Sequence, residues 1–211
     1  MRITTSIAVA GLTVAALAAV PVGAAHHEAA EPMTDVFMGG VVQNIEDTEK
    51  KLIALAEAMP ADMYGWAPSV DVRTFSETYI HVAAANLLLP SALGAAPPEG
   101  MEMGDNAFAA AQAMEAEITA KEDVIAKVQE SFAYLYSALP TLTDLEAEVT
   151  LFGPPSSKRS YVFIILGHAH EHLGQAIAYA RSVGVTPPWS QPPPEEAAVE
   201  DAPGDTGSGE Y

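Results

Sequence analysis

Residues 167–175 read Gly-His-Ala-His-Glu-His-Leu-Gly-Gln and contain three of the six histidines in the chain. His168 and His172 are four positions apart, and on an α-helix that spacing stacks two side chains on one face, one turn apart. Two imidazoles placed in this way can reach one metal ion, as in other helical metal motifs. His170 lies two positions from each of them, so a helix would direct it toward solvent or an outer position.

This stretch lies in the last of four predicted helices. Apolar side chains recur with the helical period in four segments, which end at prolines or at a glycine. The segments run over about 35–59, from a cap at Asp71 or Thr74 to Pro90, from 108 or 115 to 139, and over 158–183 with Ser156 or Ser157 as cap. Residues 141–149 are expected to add one helical turn. No segment shows the alternation of a strand, so we predict an all-α, up-down four-helix bundle.

His81 supplies a third imidazole, from the second predicted helix. A lone histidine on an apolar helical face is more often a core residue than a ligand. With His168 and His172 facing inward in the same bundle, the joint pattern favours a metal site. Neutral imidazole suits Zn²⁺, Ni²⁺, Cu²⁺ or Fe²⁺. Three protein ligands leave an open coordination position, which is typical of catalytic rather than structural zinc sites.

The histidines allow two other interpretations. Residues 168–172 match the inverted peptidase motif His-x-x-Glu-His, with Glu171 as the base. Within a helix Glu171 lies about 100° from His172, and the next neighbouring carboxylates, Glu195 and Glu196, fall in the acidic tail, so we do not expect this chemistry. Non-covalent haem, held by a histidine and one of the eight methionines, is the more distant alternative.

Composition excludes several classes of function. Acidic residues outnumber basic ones by 28 to 9 over 211 residues, which gives a formal net charge of -19. Such a chain repels nucleic acid phosphates, so we expect no nucleic acid partner. The chain has no cysteine. This excludes disulfides, thiolate metal sites, a cysteine nucleophile, covalently attached haem and a lipid-modified N-terminal cysteine.

The two ends of the chain differ from its middle. Residues 1–25 combine a basic start, an apolar run and small residues suited to cleavage, which predicts a bacterial signal peptide and a periplasmic or secreted protein. The apolar run is shorter than the ~20 residues of a spanning helix, so we expect no stable membrane association after its removal. Residues 26–34 read as a polar leader and 35–190 as the bundle. Residues 191–211 lack lysine and arginine, and predict a disordered acidic tail.

Four features, taken in order, resemble the DinB-like family of metal-binding four-helix bundles. They are Trp-Ala-Pro at 66–68 with Val-Arg-Thr-Phe at 72–75, the histidine at 81, His-x-x-x-His-Leu-Gly-Gln at 168–175, and Tyr-x-Arg at 179–181 with Gly-Val-Thr-Pro-Pro-Trp-Ser at 184–190. The resemblance covers about residues 35–190 and omits the signal and the tail.

The resemblance implies a divalent transition metal, most often zinc or nickel, on His81, His168 and His172, and frequently a homodimer. It also implies, in characterised branches, transfer or isomerisation with a low-molecular-weight thiol activated by the metal. The predicted export departs from this, because those thiols are mainly cytoplasmic. We expect Gln175 to make an outer hydrogen bond to the site and Gly174 to allow close packing.

Two functions remain open from the sequence. In the first, the protein is a metal-dependent hydrolase or thiol-dependent transferase that acts on a small molecule. In the second, it is a non-catalytic metal-binding or stress-associated bundle. The substrate does not follow from these residues.

Overall fold

The computed structural model describes residues 34–99, 101 and 107–192. This part of the chain contains five α-helices: α1 (Thr34–Ala58), α2 (Phe75–Ala92), α3 (Ala107–Glu117), α4 (Lys121–Ala138) and α5 (Lys158–Ser182). It also contains strands β1 (Glu148–Val149) and β2 (Ser156–Ser157), and short 3-10 helices at Ala61–Met63, Leu139–Thr141 and Pro188–Ser190. None of the helices in these residues is long and apolar enough to cross a membrane.

Four of the helices form a bundle, and α3 packs against α2. Helix α2 contacts α4 and α5, and α1 contacts the same two helices. One continuous cluster of buried apolar side chains joins them, with members such as Ile45 in α1, Phe75 in α2, Phe132 in α4 and Ile165 in α5. Tyr79 of α2 donates a hydrogen bond to the carbonyl of Leu52 in α1 (3.0 Å). The predicted all-α bundle is confirmed.

The first and last helices end close to where the sequence places them. Pro60 follows α1, and a proline cannot continue a helix because it lacks the N–H. At the start of α5 the Ser157 hydroxyl accepts from the Ser160 N–H (3.3 Å). Gly184 lies beyond its end with φ 81°, a left-handed conformation that glycine adopts without a steric penalty.

A capping box starts α2. The Thr74 hydroxyl accepts from the Glu77 N–H (3.2 Å), and the Glu77 carboxylate accepts from the Thr74 N–H (2.7 Å). Two backbone donors that a helix start leaves unpaired are thereby satisfied. Of the two candidate caps, Thr74 is therefore the one used, while Asp71 sits in the preceding loop with φ 63°.

The prediction that Pro90 stops α2 is wrong, because the helix continues to Ala92 with Pro90 inside it. A proline inside a helix removes the hydrogen bond from its own nitrogen and crowds the carbonyl four residues before it, but its fixed φ suits a helix. The Pro90 carbonyl accepts from the N–H groups of Leu93 (3.1 Å) and Ala95 (3.0 Å), so the last turn stays closed. The end comes at Gly94, whose φ is 104°.

The third predicted helix is two helices. Residues 118–120 separate α3 from α4, and Ala120 has an extended backbone (φ −73°, ψ 140°). Lys121 then donates to the carbonyls of Glu57 (2.7 Å) and Met59 (2.8 Å) at the end of α1, and the acidic Glu122 and Asp123 occupy the favourable first turn of α4. Separated in this way, α3 lies against α2 and can bring a side chain to the histidines.

Residues 141–149 do not form the expected helical turn, and the described chain does contain a short antiparallel ladder. Strands β1 and β2 pair Glu148 with Ser157 and Val149 with Ser156. Two residues are too few to display the alternation by which a strand is recognised. The hydroxyl of Tyr161 accepts from the Leu151 N–H (3.1 Å) and so supports the connection between the strands.

The predictions for the two ends of the chain concern residues that lie almost entirely outside the described part. The signal peptide at 1–25 lies outside the described residues, as do nearly all of the leader at 26–34 and of the acidic tail at 191–211.

Candidate metal centre

Three histidines from two helices meet beside the core. His81 belongs to α2, and His168 and His172 belong to α5. The His81 ring centroid lies 4.9 Å from those of both other rings, which are 4.5 Å from each other. One nitrogen from each ring lies within 4.8 Å of the others, so the triad can hold a metal ion. The structure thus brings together the residues that helical spacing selected, while their roles as ligands stay a prediction.

His81 is supported by a carboxylate from α3. Its Nδ1 lies 2.8 Å from Glu115 Oε1 and donates to it. The other oxygen, Oε2, accepts from Arg73 Nε (2.9 Å), and the Glu115 side chain is only 11% exposed. A carboxylate behind the second nitrogen of a ligating histidine fixes the tautomer and makes the first nitrogen a better donor to metal.

Glu115 and Arg73 also belong to this site, although the sequence did not predict a role for them there. A signal did exist in α3: Glu115 shares a helical face with Ala111 and Ile118, four positions before and three after, which are both partly buried. A carboxylate on such a face needs a cationic or hydrogen-bonding partner.

His172 is supported from its own helix. Its Nδ1 donates to Gln175 Oε1 (2.8 Å), and Gln175 Nε2 donates to the Tyr179 hydroxyl (2.8 Å). This hydroxyl in turn donates to the carbonyl of Arg73 (3.2 Å). The amide orientation follows from the network, since only the oxygen can accept from Nδ1. Gln175 thus contacts His172, and its role as an outer partner of a metal ligand stays a prediction.

The hydrogen-bond networks behind His81 and His172 both end at Arg73. Its guanidinium holds Glu115 behind His81, and its carbonyl holds Tyr179, which holds Gln175 behind His172. Arg73 directly precedes the capping box of α2, so the same turn that starts the helix also fixes the two outer networks.

Burial keeps two of the imidazoles neutral. It lowers the pKa of His168 to about 3, with further lowering by the neighbouring His172, His81 and Arg73. Burial also lowers the pKa of His81, and the hydrogen bond to Glu115 opposes this effect without overcoming it. Neutral imidazole is the form that binds a metal, so neither group has to lose a proton near pH 7.

The remaining residues of the histidine stretch lie outside the triad. His170 is exposed, as predicted, and its ring contacts the Thr48 hydroxyl (3.1 Å) and the Leu166 carbonyl (3.0 Å). Glu171 is exposed as well and does not join the cluster. The close packing expected at Gly174 is wrong: a Cβ built there meets no atom within 4 Å.

The hydrogen bonds of the rings decide which of their nitrogens remain available for a metal. Nδ1 is occupied in His81 and His172, which leaves Nε2 of each ring as the donor. Donors on one tetrahedral zinc ion lie ~3.4 Å apart when each bond is about 2.05 Å. One nitrogen of each ring lies within 4.8 Å of the others, so with movement of the side chains the three residues fit a divalent ion.

A cavity of ≈ 430 Å³ opens at the triad, and His81 and His168 form part of its wall. A second, polar groove of ≈ 360 Å³ lies along Arg73, Glu115 and Gln175. His81 and His168 therefore border the first cavity, while the side chains that support the triad line a separate groove.

A helical bundle with a histidine triad shared between two of its helices defines the class of protein. The family model of the DinB superfamily matches residues 44–176, and the chain belongs to this superfamily. None of the curated proteins matches the chain.

Two solved structures share the fold. A DinB-like protein from Bacillus cereus is 16% identical, with a TM-score of 0.58, over 72% of this chain and 95% of that one. A DinB-like protein from Bacillus subtilis is 19% identical, with a TM-score of 0.53, over 70% of this chain and 93% of that one.

Proposed function

We propose that this chain is an exported DinB protein that binds a divalent transition metal, zinc or nickel, through His81, His168 and His172, and acts on a small molecule at that centre. The observation that carries the proposal is the pair of outer networks. Glu115 and Gln175 each accept from the Nδ1 of one histidine, which leaves the Nε2 atoms free for an ion.

The open side of the triad favours catalysis over a purely structural ion. The cluster in the described residues holds three histidines and no fourth protein ligand, and a structural zinc ion is normally closed by four. When bound, a divalent ion with an open position lowers the pKa of a coordinated water or thiol. His81 and His168 also line the cavity, so a substrate held there lies beside the centre.

The second candidate is a non-catalytic metal-binding bundle. The position of the triad supports it, because an ion there would link α2 to α5 whether or not it is reactive. The two functions differ in whether an external ligand can bind to the ion. Azide or a small thiol should perturb the absorption spectrum of the cobalt-substituted protein if a position is open, and a closed structural ion predicts no change.

Metal analysis of protein purified without a histidine tag tests the proposal. We expect about one equivalent of a transition metal per chain, lost in His81→Ala. The matched control is His170→Ala, which removes an exposed histidine from the same stretch and should retain the metal. A folded wild-type protein that binds no metal would contradict the proposal, as would equal loss in both variants.

Export and assembly are separate parts of the proposal. N-terminal sequencing of the protein recovered from the periplasm or medium of a bacterial host should begin near residue 26 if residues 1–25 are a cleaved signal. Light scattering of that mature protein should give twice the monomer mass if it forms the homodimer that the family resemblance implies.

A further inference from the structure

The cavity beside the triad is almost entirely apolar, although the chain as a whole is acidic. Apart from His81 and His168, every residue that lines it in the described part of the chain is apolar. Its walls carry alanines where larger side chains would fill the space, among them Ala85 of α2 and Ala111 of α3. Its ≈ 430 Å³ falls in the range of small-molecule sites, about 300–1,000 Å³.

Two exposed phenylalanines from different elements belong to the same cavity wall. Phe108 of α3 is 69% exposed, and Phe152, in the connection between β1 and β2, is 48% exposed. Their ring centroids lie 6.1 Å apart with an edge-to-face orientation. Aromatic rings left this open to water add contact area for a ligand that enters between them.

The charged side chains next to the triad do not line this cavity. Arg73 and Glu115 line the separate polar groove, where they pair with each other. A ligand with several charges would have to place them in the apolar cavity without partners, which is costly. A molecule with an apolar body and one polar group can instead place that group at His81 and His168.

We infer that the cavity binds the apolar body of the substrate, an amphiphilic molecule with a hydrocarbon portion and a single polar head that reaches the metal. The position of the head rests on the proposed function, whereas the position of the hydrocarbon rests on the cavity alone. A polar low-molecular-weight thiol does not match these walls.

A series of hydroxamic acids tests the inference, because the head binds transition metals and the hydrocarbon chain can be lengthened in regular steps. Aceto-, butano-, hexano- and octanohydroxamic acid are titrated into the full chain, both metal-free and cobalt-loaded. Displacement of an environment-sensitive dye reports binding, and the cobalt spectrum reports contact with the ion. Affinity should rise about fourfold per methylene, as expected for burial of hydrocarbon at ~0.8 kcal/mol per CH₂. Equal affinity for all four acids would overturn the inference.

Two cavity-filling variants and one control variant locate the binding. Ala111→Phe should fill the cavity and abolish the dependence on chain length, while acetohydroxamic acid still perturbs the cobalt spectrum. Ala113→Phe is the matched control, since Ala113 is exposed on the same helix and does not line the cavity. Ala85→Phe fills the cavity from α2 and replaces the first variant if that one fails to fold. Retained length dependence in a folded cavity-filling variant would place the hydrocarbon elsewhere and overturn the inference.

The same titrations separate this inference from the proposed function. Spectral change with the shortest acid but no effect of chain length overturns the apolar site and leaves the metal centre intact. Length-dependent binding without any change in the cobalt spectrum supports the apolar site and contradicts the metal centre.

Discussion

Glu115 places a negative charge at the outer edge of the triad, and the geometry gives that charge two partners. One oxygen accepts from His81 and the other from Arg73. The arrangement orients the imidazole and increases its ability to donate to a cation. The Glu115 side chain is nearly buried, so loss of either partner would leave a poorly solvated charge.

Glu115→Gln should weaken metal binding by roughly 10–100-fold, the usual effect of changing an outer partner of a ligating histidine. Glutamine retains the shape and one acceptor but removes the charge. Glu117→Gln is the control, because Glu117 is exposed near the end of the same helix. Competition with a chromophoric chelator measures the affinity, and an equal affinity for both variants would show that the Glu115 charge has no part in binding.

His168 gives a prediction about pH. Its pKa is about 3 in the folded protein against about 6.5 in an unfolded chain. Below pH 6.5 the His168 imidazole binds a proton in the unfolded chain but stays neutral in the folded protein. The free energy of unfolding therefore falls as the pH falls from 6.5 toward 3. Between pH 7.5 and 5 this group should cost the metal-free protein roughly 2 kcal/mol.

Urea unfolding in the presence of a chelator, at pH 7.5 and at pH 5, checks this value. His168→Gln should lose less stability on acidification than the wild type does. His170→Gln is the control variant, because it removes an exposed histidine of the same helix that lies outside the triad. The same slope in all three proteins would refute the assignment of the effect to His168.

The sequence was sufficient to find the three histidines and Gln175, but not Glu115 and Arg73. His168, His172 and Gln175 lie within two turns of one helix, where contacts follow from the helical period. Glu115 reaches His81 across 34 positions of sequence, and this contact depends on where α3 packs. No local pattern encodes such a placement.

At the scale of the element, the turn before α2 links folding to the site. The residue before the cap, Arg73, holds Glu115 with its side chain and Tyr179 with its carbonyl. The capping box at Thr74 fixes the backbone on which both contacts depend. A helix start thus serves two purposes: it satisfies its own donors and sets the distance between α3, α2 and α5.

Thr74→Ala should lower the free energy of unfolding by about 1 kcal/mol, the typical value of an N-cap, and should also weaken metal binding. Ser157→Ala removes the cap of α5, some ten residues before the first histidine of that helix, and should reduce stability without a comparable loss of affinity. Denaturation and chelator competition on both variants separate the two effects. Unchanged affinity in Thr74→Ala would show that the turn does not position the site.

Helix boundaries were predictable where a helix-breaking residue lies at a position that is not packed in the core. Pro60 and Gly184 meet this condition, and the ends of α1 and α5 follow. Pro90 does not, because it is buried among core residues and its carbonyl still closes the last turn. The break at residues 118–120 contains no proline or glycine and arises where Lys121 is drawn to the end of α1.

At the scale of the molecule, the triad joins helices that are far apart in sequence. His81 in α2 and the two histidines of α5 face each other, and Glu115 adds α3 to the same cluster. An ion at this point would bind the folded bundle more tightly than the unfolded chain, in which His81 lies far from the other two imidazoles. Metal binding should therefore stabilise the fold as a whole.

A net charge of -19 complicates that test, because an acidic surface attracts divalent cations at many places. Specific binding must therefore depend on the histidines and on the type of cation. Zinc at 100 times its dissociation constant should add ~2.7 kcal/mol to the wild type, a rise in melting temperature of roughly 5–10 °C for a chain of this size. His170→Ala should show the same rise and His81→Ala almost none. Magnesium, which prefers oxygen ligands, should affect all three proteins alike. A zinc-dependent rise of equal size in His81→Ala would mean that the ion stabilises the bundle through its acidic surface and not through the triad.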